Sequence, residues 1–309
     1  MAAHVPTPVM DFTLYWFMFP VSIVVATTAM LSGIGGAAMF TPIFLILFPL
    51  LGPEYTLASP VAAIGVALLI ETFGFSSGFI GYFRKRLIDF RSALKFIAVA
   101  VPVAIIGALT SHLANPDLLK GSYAALMLVL AYVMYRHQHG IEETMVVTEE
   151  ASAGAADARP QRVITARDGQ VYRFHVPHHG RGAYVTALGA FLTGMVSVGI
   201  GEVIMPQLSK RNRVPVPVAA ATSVFIVIVT VASASFTQIS TLIAEGGLHA
   251  VPWHLVAYAV PGVILGGQIG PRLQGRIAHR TMERGIGILF AVISLAMFWL
   301  VFTGAGAAH

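Results

Sequence analysis

The sequence predicts an all-α polytopic membrane protein built from two inverted repeats. Each repeat is a broken, re-entrant helical hairpin plus three transmembrane helices, and a small cytoplasmic β-hairpin lies in the central loop. Three observations predict this. First, the 309 residues are 56% hydrophobic and 11% charged, with a mean hydropathy of +0.78, and so few charges cannot cover a globular surface. Second, residues 31–42 read LSGIGGAAMFTP and, 164 residues later, residues 195–206 read MVSVGIGEVIMP. Each is a glycine-rich break in an apolar segment, closed by a proline, and paired breaks at corresponding positions of two halves point to a transporter's binding site. Third, the basic residues gather in alternate loops.

From the N-terminus, a segment at about residues 12–51 holds the first break. Runs long enough to cross a hydrocarbon core of ~30 Å follow at about 58–83, 92–113 and 119–136. The second broken segment, about 183–208, is too short to cross twice, so each broken segment is expected to enter and return on one side. Three further crossings are expected at about 214–242, 253–271 and 283–303. The repetition continues beyond the breaks: Pro102 and Gly107 are matched by Pro261 and Gly266, and Lys120-Gly121 by Arg284-Gly285. The expected units are residues 1–136, a linker at 137–182, and residues 183–309. No Lys or Arg precedes Arg84, so a cleaved leader with a basic start is not expected.

A hairpin that returns to its own side leaves each repeat with three crossings, an odd number, so the second copy must be inverted. Charge placement agrees. Arg84, Lys85, Arg86, Arg91 and Lys95 follow the first crossing; Lys210, Arg211 and Arg213 follow the second hairpin; Arg272, Arg276, Arg280 and Arg284 join the last two helices. With the central loop, all fall on one side, while LGPEYTL, HLANPD and AEGGLHAVP contain neither Lys nor Arg. The positive-inside rule makes the basic side cytoplasmic and turns both termini outward, as expected for a multi-pass membrane protein.

The central loop differs in composition. EETMVVTEEASAGAADARPQ is polar and rich in small residues, whereas RVITARDGQVYRFHV alternates around Asp168-Gly169, a two-residue hairpin signal. His137, His139, His175, His178 and His179 lie in this loop, but their spacing fits no established ligand pattern, so solvated histidines are expected and no metal or other cofactor is assigned. The pI near 9.6 records membrane orientation rather than nucleic-acid binding, and the absence of Cys removes disulfides and thiolate sites. The partners expected are the lipid bilayer and, given the glycine-rich faces, a second copy of the chain.

The ordered motifs resemble the TauE/SafE sulfite-exporter family. That family carries a G-x-G-G-G-x-x-x-x-P-x-L hallmark in each half, an A-x-G-T-S-like helix start, a basic loop with an I/V-D pair, and a P-G-x-x-x-G-x-x-x-G helix. The first copy here has Gly33, Gly35, Gly36 and Pro42, with Ala37 at the third adjacent glycine. The second has Gly199, Gly201, Pro206 and Leu208, with Ile200 interposed and Glu202 following. Ala221-Thr222-Ser223 fits the helix start and Ala58-Ser59-Pro60 fits it more loosely. Ile88-Asp89 and the run Pro261, Gly262, Gly266, Gly270 fit well. The resemblance covers the chain apart from the central loop, and it implies export of sulfite, sulfonates or related small organic anions.

Physical chemistry leads to the same segments. A helix broken within the membrane exposes backbone N–H groups and a positive helix end, which attract an anion without burying a cation. The expected contacts are the backbone of Gly33, Gly35, Gly36, Gly199 and Gly201, the hydroxyls of Ser59, Thr222 and Ser223, and Gln207 nearby. Close helix packing is the competing account of the glycines, and bonding to their own helix that of the hydroxyls. Glu71 falls mid-span and Glu202 inside the second break. Burying either charge costs several kcal/mol, so both are candidates for a proton coupled to anion movement. The plainer alternatives are that Glu202 caps the helix that follows and that Glu71 hydrogen-bonds across the bundle.

A passive anion channel would share these features. An intramembrane hydrolase would need a base beside a nucleophile, yet His112, His249 and His254 fall near span ends, so no enzyme is expected. A metal permease would want a lined centre, and the 12 methionines are dispersed. Topology is tested by fusion: alkaline phosphatase joined after residue 150 is expected to be inactive and after residue 115 active, and the reverse pattern would refute the assigned orientation.

Overall fold

In a computed structural model, residues 13–32, 35–137, 161–176, 180–273 and 279–303 are described. Gly33 and most of the linker, including His139, His178 and His179, lie outside these residues. The first half contains α1 (Met18–Ser32), α2 (Ala37–Pro42), α3 (Pro60–Arg84), α4 (Phe90–Leu113) and α5 (Pro116–His137). Strands β1 (Gln161–Thr165) and β2 (Val171–His175) follow. The second half contains α6 (Gly180–Val196), α7 (Ile200–Pro206), α8 (Val216–Gly246), α9 (Trp253–Leu273) and α10 (His279–Thr303). Among the described residues four helices, at Pro60–Arg84, Phe90–Leu113, Pro116–Val133 and Val216–Gly246, are long and apolar enough to cross a membrane by length and composition. With α9 and α10, helices stand at all six expected crossings.

Each glycine-rich segment forms a helix–turn–helix. After both turns the chain does the same unusual thing: Pro42 leads into a π-type turn at Ile43–Leu47, and Pro206 into one at Gln207–Arg211. The bonds that define them are matched, Phe48 N–H to the Ile43 carbonyl and Asn212 N–H to the Gln207 carbonyl, each reaching back five residues. Proline lacks the N–H that would continue the i−4 ladder, which for Pro42 would have paired the Ala38 carbonyl; the Tyr123 hydroxyl donates to that carbonyl instead, at 2.6 Å. From the first π turn the chain runs into a short helix, Phe48–Leu51.

The helices pack across the halves. α1 lies on α9 and α6 lies on α4, while α3 packs on α8 and α5 on α10; α9 also contacts α3, and α4 contacts α8. Exchanging the two halves maps every one of these pairings onto another or onto itself. Glycine makes the closest of them possible. A side chain begun at Gly262 or Gly266 of α9 would stand 2.5 Å from the Phe19 or Ile23 carbonyl of α1. Gly107 of α4 meets the Phe191 backbone of α6 in the same way, so the matched pair Gly107 and Gly266 does matched work, in keeping with the small-residue interfaces of membrane helices.

Polar side chains join the same helices. Gln268 of α9 donates to Ser77 Oγ of α3 at 2.9 Å, and Gln238 of α8 donates to Ser111 Oγ of α4 at 2.6 Å. One serine–glutamine pair thus serves each of the two equivalent contacts, worth about 0.6 kcal/mol apiece in a bilayer.

The β-hairpin forms where the alternation places it, with Thr165 opposite Val171 and Gln161 opposite His175. Its turn is one residue longer than Asp168-Gly169 suggests. Ala166 pairs with Gln170, leaving Arg167, Asp168 and Gly169 as a three-residue loop. Gly169 supplies φ +86° at the third position, and Asp168 Oδ1 accepts the Gln170 N–H, chemistry suited to the three-residue turn.

Overpacking at a helix crossing tests this architecture. Gly266→Leu is expected to cost about 1–3 kcal/mol or more in detergent unfolding, because α1 backbone lies in the way. Gly121→Ala, with nothing within 4 Å of the added carbon, is expected to be neutral or mildly stabilising. Equal effects would show that the α1–α9 contact is not formed.

Candidate functional site

The two breaks meet. In the second, Gly199 takes φ +146° and a side chain there would stand 2.5 Å from the Gly189 carbonyl, so only glycine fits. This turn leaves the first amides of α7 without helical partners. Side chains of its own half take two of them: Thr193 Oγ1 accepts the Ile200 N–H at 2.7 Å, and Glu202 Oε2 accepts the Gly199 N–H at 3.0 Å. The other oxygen of the same carboxylate, Oε1, accepts the Gly35 N–H of the first break at 3.2 Å. One glutamate therefore bridges the backbone of both breaks, reaching a glycine 167 residues before it in sequence.

Glu71, halfway along α3, reaches the same place. Its carboxylate faces the Gly36 and Ala37 amides that open α2. The position where a Gly35 side chain would begin lies 2.9 Å from Glu71 Oε1 and 3.5 Å from Glu202 Oε1. Glu71 is buried and its Oε1 has no hydrogen-bond partner, whereas Glu202 keeps some exposure. Both breaks thus present amides to carboxylate oxygens, as expected where backbone donors lack helical partners.

Three hydroxyls, those of Thr41, Ser197 and Tyr123, complete the junction. Thr41 Oγ1 of α2 lies 2.6 Å from Ser197 Oγ in the second break, both buried, and Ser197 holds φ +65°. The buried hydroxyl of Tyr123, on α5, donates to the Ala38 carbonyl at 2.6 Å. The signal was present, since Thr41 and Ser197 sit inside the repeated windows, but their proximity to each other has no trace in sequence.

Among the described candidates, the structure brings Gly35, Gly36, Gly199, Gly201, Glu71 and Glu202 to this junction, and not Ser59, Gln207, Thr222 or Ser223. Ser59 is the N-cap of α3, accepting the Ala62 N–H at 3.1 Å. It is separated from the other end of α3 by 25 residues of helix, about 37 Å at ~1.5 Å per residue. Thr222 stands at that other end, where its Oγ1 accepts the Asp89 N–H at 3.0 Å; Ser223 is buried beside it in the sequence. Gln207 sits in the π turn, its Oε1 accepting from Thr186 at 3.2 Å and its Nε2 unpartnered. The contact between Asp89 and Thr222 gives two motif fragments a shared structural role. Asp89 also caps α4 by accepting the Ser92 N–H at 3.2 Å, and Arg162 of the β-hairpin donates to its carboxylate and to Ser92 Oγ.

Residues 18–297 match the family described as "Sulfite exporter TauE/SafE". The chain belongs to this family. It is similar to the "Probable membrane transporter protein YunE" of Bacillus subtilis (strain 168), at 22% identity over 279 residues, 90% of this chain and 94% of that protein. No solved structure matches. The TauE/SafE chain is accordingly a multi-pass membrane transporter, and its paired breaks lie within the matched region.

The link between breaks is open to a double-mutant cycle on Thr41→Val and Ser197→Ala. A coupling of about 1 kcal/mol in thermal unfolding is expected for this buried bond. Strict additivity would mean that the two hydroxyls do not pair.

Proposed function

We propose that the protein exports sulfite or a small organosulfonate by alternating access, with the anion held on the backbone amides of the two breaks. Glu202 is the observation that carries this reading. Its carboxylate accepts from Gly199 of one half and Gly35 of the other, so an oxyanion already bridges the place where substrate is proposed to bind. Gly36 and Gly201 complete the backbone surface, and glycine lets a sulfonate approach closely.

The substrate competes with Glu202 for these donors. A proton placed on the facing carboxylates weakens the hold of Glu202 on the amides and frees them for the anion. Glu71, with its unpartnered Oε1, is the second holder of that proton. In a cell with a negative interior, each negative charge that leaves gains roughly 2.3 kcal/mol per 100 mV, which favours export.

Counterflow of labelled sulfite in proteoliposomes tests this, because it reads electrogenic and electroneutral exchange alike. Saturable counterflow is expected, competed by sulfonates and thiosulfate but not by chloride. In Glu202→Gln the pH dependence is expected to vanish while counterflow persists. Flux without counterflow would indicate a channel, and unchanged pH dependence in both Glu202→Gln and Glu71→Gln would refute the coupling.

A further inference from the structure

We propose that a crevice between α3, α4 and α8, together with an arginine pocket at its end, forms one binding site for an anionic phospholipid. The phosphate sits among Arg84, Arg86 and Arg167, and one acyl chain lies along α8. The pocket, of about 520 Å³, is lined by those three arginines with Phe83, Ile88 and Phe90. Arg167 is brought there by the β-hairpin, whose Arg167 N–H donates to the Lys85 carbonyl at 3.1 Å. Among the described residues the ion pairs are Arg162–Asp89 and His112–Glu245, so these three guanidinium groups have no carboxylate partner. Three uncompensated arginines in one pocket call for an anion.

The apolar half of the site decides which kind of anion. Phe83 and Phe90 are 56% and 40% exposed, and they belong to a ladder of four rings. Centroids are 6.3 Å apart for Phe83–Phe90, 5.1 Å for Phe90–Phe225, 5.5 Å for Phe225–Phe79 and 5.8 Å for Phe79–Phe83. Phe79 and Phe225 also line a second cavity of about 620 Å³, which continues past Ile105 and Ala232 to Phe236. The two cavities therefore adjoin across the ladder.

The walls of the second cavity offer no donor to a polar solute. Its hydroxyls all bond back to their own helices: Thr72 to the Leu68 carbonyl, Ser76 to Thr72, Ser233 to Val229 and Thr237 to Ser233, at 2.7–2.9 Å. From Phe225 to Thr237 the crevice follows α8 for about 18 Å at ~1.5 Å per residue, close to the depth of one leaflet of a ~30 Å core. A free anion would use the arginines and leave this crevice unexplained. A phospholipid uses both, and basic pockets on the cytoplasmic side are where anionic headgroups bind.

The test uses the full chain, delipidated in detergent, with thermal stability and native mass spectrometry as readouts. Phosphatidylglycerol is expected to bind and raise the Tm, with phosphatidylcholine and glycerol 3-phosphate at the same concentration doing neither. Arg84→Gln, Arg86→Gln and Arg167→Gln combined should weaken phosphatidylglycerol at least tenfold. Ala232→Phe, which fills the crevice and leaves the arginines intact, should weaken it as well and guards against misfolding of the triple variant. Equal binding of phosphatidylcholine, or a triple variant that binds as the parent does, would overturn the proposal. Binding of glycerol 3-phosphate with no effect of Ala232→Phe would assign the pocket to a free anion and also overturn it.

Discussion

Backbone N–H groups cannot be left unpaired in a hydrocarbon interior, and this constraint organises the centre of the molecule. Two helices are broken there, so two sets of amides need acceptors. Thr193 and Glu202 serve the second break, and Glu202 also reaches across to Gly35. The cost of leaving a buried donor unmade is about 1–3 kcal/mol, larger than the usual net value of the bond itself. Loss of Glu202 therefore exposes two donors in different halves at once.

The long helices are arranged so that each half carries the other's hairpin. α1 rests on α9 through Gly262 and Gly266, and α6 rests on α4 through Gly107. Backbone contact at these crossings leaves no room for adjustment by side chains, so the helices meet in one register. The breaks inherit that register, which is how Thr41 and Ser197 come within 2.6 Å of each other. At the basic end, Asp89 performs a related task by joining the start of α4 to Thr222 of α8 and to Arg162 of the hairpin.

Several features were legible in the sequence because they depend on short-range pattern. Glycine clusters closed by Pro42 and Pro206 break helices wherever they occur, and the alternation of RVITA with VYRFH sets a β-hairpin. The length of the turn was not legible, because Ala166–Gln170 pairing depends on the register of strands already formed. The hydroxyl candidates show the same limit. Ser59, Thr222 and Ser223 follow their breaks at comparable distances in sequence, yet Ser59 and Thr222 occupy opposite ends of the bundle, since one caps the start of α3 and the other bonds Asp89 beyond its end.

The sequence by itself determined the membrane class, the repeated breaks, the family and the two carboxylates that stand out in an apolar setting. Each follows from composition or from residues near one another along the chain. Only the tertiary structure decided that Glu71 and Glu202 face the same glycine and that Glu202 spans both breaks. The contact that spans the breaks joins Gly35 to Glu202, 167 residues apart, and its geometry is set by helix crossings that no local pattern encodes.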